Sequence, residues 1–94
     1  MTNQSQNQNL KTLLLNNKTY LVSIVEEMYA ELGEPNCKLL NPYEIVKDNI
    51  TSSISLKVWP DHTAQRVIMI SSENILTITE PSEKIIENYF ELIN

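Results

Sequence analysis

Ninety-four residues, 41% of them apolar and 20% charged, describe one ordinary globular domain, too short to wrap a large enzyme core around an internal cofactor. A formal charge of −5 disfavours direct binding to nucleic acid or anionic lipid, whose phosphates call for Lys or Arg. No apolar run approaches the roughly 20 residues of a membrane helix, and one glycine in the whole chain leaves no glycine-rich phosphate loop.

Residues 1–9 are almost wholly amides and hydroxyls, so they cannot offset the entropy of ordering and read as a disordered tail before a single domain over 10–94. They also lack the basic start and apolar stretch of a secretory leader. The next segment carries Leu21, Ile24, Val25, Met28, Tyr29 and Leu32, a spacing near 3.6 that predicts an amphipathic helix over about 9–32. Thr19 suits its cap, and Gly33 suits its left-handed end. Asn41-Pro42-Tyr43-Glu44 reads as the start of a short second helix, with Asn as cap and Pro at the first helical position.

From Ile50 the period becomes two. Ile54, Leu56 and Val58 alternate with Ser55, Lys57 and Trp59, predicting a strand with one buried face. Pro60 to Thr63 form a turn, Arg66 to Ile70 a second strand apolar on both faces, and Ile75 to Thr79 a third. Glu80-Pro81 opens a last helix whose apolar stripe is Ile85, Ile86, Tyr89, Phe90 and Ile93. On another face Glu83, Glu87 and Glu91 follow one another at intervals of four.

The order α-α-β-β-β-α predicts an α+β fold: a three-stranded antiparallel meander with the N-terminal and C-terminal amphipathic helices packed on one face. Two helices on one side leave the other side bare. Val67, Met69, Ile75 and Trp59 then form an outward apolar patch, the expected interface. Arg66, the only arginine, stands beside it, ready to pair with Glu73, Glu80 or a partner's carboxylate.

Reactive chemistry is sparse. With one His, one Cys and no close ligand spacing, no structural zinc site is expected, and Asp48 and Asp61 as the only aspartates do not make a calcium loop. No metal or other cofactor follows. Cys37 and His62 with Asp61 are the nearest thing to a nucleophile and base, but adjacent side chains on a turn point apart, so no catalytic residue is assigned. A lone thiol suits a reducing, cytoplasmic setting.

These features favour a small acidic, non-enzymatic protein–protein interaction module: an adaptor, chaperone-like protein or regulatory subunit, self-associating as a homodimer through an apolar sheet face or edge. An acidic nucleic-acid mimic, using the face of Glu83, Glu87 and Glu91, is the first alternative. A small-molecule-binding domain with Trp59, His62 and Arg66 at a pocket mouth is the second.

Overall fold

The computed structural model describes residues 9–93, and all but Asn9 of the tail expected over 1–9 lies outside them. Six strands form one sheet: β1 (Leu10–Leu15), β2 (Tyr20–Glu27), β3 (Cys37–Lys47), β4 (Ile54–Val58), β5 (Val67–Ile70) and β6 (Ile75–Thr79). The chain ends in one helix, α1 (Glu83–Ile93). The spatial order is β4-β3-β2-β1-β6, with β5 also on β3, and every pairing is antiparallel.

The expected α-α-β-β-β-α layout is therefore corrected: both segments read as N-terminal helices are strands. Residues 10–27 make the β1–β2 hairpin, in which Leu13 faces Leu21 and Leu10 faces Ile24. The apparent helical stripe came from a strand that is buried on both faces. Leu21 packs toward one side of the sheet and Val22 toward the other, both fully buried. Such a strand reads as a nearly continuous apolar run, and β-branched Val22, Ile24 and Val25 suit it. The outer members of the stripe never reach the core: Tyr29 is 96% and Leu32 101% exposed.

Asn41-Pro42 likewise starts no helix. It sits inside β3 as a bulge, where the register to β2 shifts between Val22 and Ile24. Asn41 takes φ 53°, a left-handed conformation that asparagine tolerates better than most residues. Proline cannot donate to a ladder and is confined within sheets to edges and bulges. One extra residue also swaps which face the side chains serve. Leu39 accordingly packs in one apolar cluster while Tyr43 and Ile45, of the same parity, pack in the other.

This swap builds two cores. Leu10, Val22, Ile85 and Tyr89 form the first, under α1, joined by Tyr43, Ile45, Leu56 and Phe90. Leu13, Leu15, Leu21 and Leu39 form the second on the opposite face, closed by Trp59, Ile68, Ile70 and Ile75. The sheet thus curls over its own second face instead of leaving it to a partner.

No meander forms among the last three strands. β4 pairs with β3 over Tyr43–Lys47 and β5 with β3 over Cys37–Leu40, end to end along one edge. A 3-10 turn over Ser72–Asn74 then carries the chain to β6 on β1, at the far edge. The short connections had implied hairpins, but they join strands running in the same direction.

The C-terminal helix agrees with its reading from sequence, beginning slightly later. Ser82 accepts the Ile85 N–H at 3.3 Å as its cap. Tyr89, fully buried, stands edge-on to Tyr43 with ring centroids 5.8 Å apart. Its hydroxyl donates toward the carbonyls of Leu40 (3.1 Å) and Asn41 (2.9 Å), fastening α1 to the β3 bulge. Burial pushes the Tyr89 phenol up to about 12 from an ordinary 10.0. Below pH 10 the ring is neutral in folded and unfolded chains alike. As pH rises from 10 to 12 only the unfolded chain gains by ionising, so stability contributed by the neutral buried ring is lost in that window. Urea midpoints are expected to fall more steeply from pH 9 to 11 in the wild type than in Tyr89→Phe; parallel slopes would refute this.

Candidate interaction surface

Two strands leave one edge unpaired without a charge to guard it. β6 reads Ile-Leu-Thr-Ile-Thr and, among the described residues, pairs only with β1; β5 reads Val-Ile-Met-Ile and there pairs only with β3. Proteins ordinarily blunt such edges with Lys, Pro or a covering loop. On β6, Leu76 is 61% and Ile78 49% exposed. The free edge of β4 differs, carrying Lys57 as its penultimate residue. Around β6 the flanks are polar: Lys11 pairs with Glu80, and the Thr12 and Thr79 hydroxyls hydrogen-bond. These hold β6 to β1, leaving the outer edge free.

The sequence-derived interface residues separate. Val67 and Met69 lie exposed on the outer side of β5, as the alternation required. Ile75 and Trp59 pack instead against the second cluster, on the side of Ile68 and Ile70. Arg66 pairs with no carboxylate among the described residues. Its Nη2 donates to the carbonyls of Trp59 (2.9 Å) and Pro42 (3.3 Å), and its guanidinium lies 5.9 Å from the Tyr43 ring centre. Glu83, Glu87 and Glu91 are all exposed along α1. Cys37 is buried, its thiol pushed up first by burial and then by the Glu27 carboxylate, while His62 is exposed on the 59–66 loop.

Of Trp59, His62 and Arg66, read from sequence as the mouth of a pocket, Trp59 alone lines a cavity of about 260 Å³, together with Leu15, Asn16, Asn17, Ile70 and Asn74, which sequence reasoning passed over. Leu15, Ile70 and the half-buried indole make it apolar, and the three carboxamides make it polar on one side. Its walls are anchored. The Trp59 N–H donates to the Pro42 carbonyl at 3.3 Å, and its carbonyl receives Arg66. Asn16 donates from its backbone to Asn74 (2.9 Å) and from its side chain to Glu73 (3.0 Å). Asn17 Oδ1 accepts the Thr19 N–H at 3.1 Å, fixing the β1–β2 turn. For the residues passed over, the available signal was a cluster of asparagines at turn positions, which more often marks turn chemistry alone.

Among the described residues no group of three or more His, Cys, Asp and Glu side chains is placed to hold a metal ion. No described helix is long and apolar enough to cross a membrane. By sequence the chain belongs to the family of unknown function DUF6561, whose model matches residues 8–94. No curated protein matches it.

Proposed function

We propose that this protein is a non-enzymatic protein–protein interaction module that takes up an extended segment of a protein partner along the β6 edge. One observation carries the reading: among the described residues Ile75–Thr79 leaves one edge unpaired, without charge or proline, with Leu76 and Ile78 more than 45% exposed. An added strand gains affinity from main-chain hydrogen bonds and specificity from the side chains that flank them. The net charge of −5 favours a neutral or basic partner. The lone thiol, Cys37, fits a cytoplasmic setting.

The double variant Leu76→Lys/Ile78→Lys places two charges on this edge at exposed positions, where surface substitutions usually move stability by less than about 0.5 kcal/mol. Affinity capture from the native host, wild type beside variant, is expected to lose the specific partner with the variant while the melting temperature holds. An identical captured set would refute the reading.

A further inference from the structure

The Trp59 cavity combines apolar walls, hydrogen-bonding groups left unused by the fold, and no charge. None of its lining residues is acidic or basic. The charged residues next to them in sequence are Lys18 and Glu73, one of each sign, both exposed and neither part of the lining. An ion entering here would give up water without gaining a counter-charge, so the cavity suits a neutral occupant. Size limits it to one ring with small substituents. An apolar cavity of about 150 Å³ already accommodates benzene, and this one measures about 260 Å³.

The carboxamides narrow the choice further. Asn16 gives its side-chain nitrogen to the Glu73 carbonyl, which leaves Oδ1 as an unused acceptor. Asn17 gives its Oδ1 to the Thr19 N–H, which leaves Nδ2 as an unused donor. A carbonyl can only accept and an N–H can only donate, so both amide orientations are fixed by their partners. Asn74 engages Asn16 and Ser71 through its backbone, and its carboxamide makes no hydrogen bond among the described residues. Turn chemistry thus employs one side of two amides and none of the third.

We propose that the cavity binds a neutral planar lactam, a ring carrying an N–H beside a C=O, as in a free pyrimidine base. The ring lies against Leu15, Ile70 and the Trp59 indole, its N–H donates to Asn16 Oδ1, and its carbonyl accepts from Asn17 Nδ2, with Asn74 at the rim. Carboxamides pair well with the edges of nitrogen heterocycles, and aromatic side chains with their faces. A base within a nucleic acid offers the same edge, but the net charge of −5 and a lining without cations favour the free ring. Leu76 and Ile78 do not line the cavity, so this site and the β6 edge stand or fall separately.

Titration of the full chain with uracil, by calorimetry and by emission of Trp59, the only tryptophan, is expected to show one saturable site and a shifted emission. Dimethyluracil, which keeps the ring and carbonyls without an N–H, and toluene, which keeps only a ring, are expected to bind at least about tenfold more weakly, because each leaves polar groups unpaired. Uridine monophosphate is expected to bind no more tightly than uracil at low salt. Asn17→Asp keeps the oxygen that holds Thr19 and replaces the free donor by an acceptor. It is expected to weaken uracil by a similar factor while the melting temperature holds. A flat titration up to the solubility of uracil would overturn the proposal. So would dimethyluracil or toluene binding as tightly as uracil, or a folded Asn17→Asp variant with unchanged affinity. Tighter binding of uridine monophosphate would overturn the neutral ligand in favour of a phosphate-bearing one.

Discussion

Tyr89→Ala is expected to cost about 3–5 kcal/mol, the range for deleting a large buried aromatic side chain. A domain of this size holds roughly 5–10 kcal/mol in total, so the variant should be largely unfolded at modest urea. The residue is fully buried and, among the described residues, is the only side chain that both fills the first core and hydrogen-bonds the β3 bulge. Its removal undermines α1 twice. Ile85, Ile86 and Phe90 lose the neighbour they pack around, and the Asn41 carbonyl loses its donor. Tyr89→Phe separates the two effects. The ring stays, Ser23 Oγ still donates to the Leu40 carbonyl at 3.1 Å, and Asn41 alone is left short, which costs about 1–2 kcal/mol. Urea titrations followed by circular dichroism measure both. Equal losses for Phe and Ala would mean that the hydroxyl, not the packing, holds the helix.

What the sequence revealed of this architecture depended on how many faces each element buries. α1 buries one stripe, and all five residues assigned to that stripe pack on the first core. The alternation of β4 was equally plain, but of the three residues expected on its buried face only Leu56 packs on a core, while Ile54 and Val58 stay exposed. β2 buries two faces, so alternation disappears, and Leu21, Ile24 and Val25 fall by coincidence on a helical spacing. Pro42 carried the missing clue. A proline inside an apolar segment reads either as a helix start or as a strand bulge, and local spacing does not choose between them. The choice is made by Ser23, Tyr89 and Arg66, which satisfy three successive carbonyls of the bulge from elsewhere in the chain.

The candidate surfaces were legible in the same uneven way. Exposure of Val67 and Met69 follows from strand parity alone. Ile75 turned inward because β6 crosses to β1 instead of pairing with β5, a matter of topology that parity does not carry. The Trp59 cavity is assembled from the β1–β2 turn, the loop after β4 and the 3-10 turn. Segments about 40 and 60 residues apart in the chain leave no common local pattern.

Arg66 supplies the second large expected effect. Its Nη2 bridges the Trp59 and Pro42 carbonyls, tying the end of β4 to the bulge just where β5 begins. Nε and Nη1 are buried with no protein partner, so the guanidinium is partly desolvated without a counter-charge, an arrangement that offsets much of what its hydrogen bonds contribute. Arg66→Ala removes both the bridge and the volume beneath Tyr43 and is expected to cost about 2–4 kcal/mol. Arg66→Met restores the volume and carries no charge to desolvate, so it is expected to recover at least half of that loss. Arg66→Lys should fare worse than Met, since a compact, strongly hydrated ammonium cannot reproduce the planar fork over the ring. The order wild type, Met, then Lys and Ala is checked by urea midpoints; a lysine variant as stable as wild type would show that charge alone suffices. Because Arg66 also fixes the Trp59 backbone, the Met variant is expected to shift Trp59 emission while still folded, loosening the cavity wall without touching its lining.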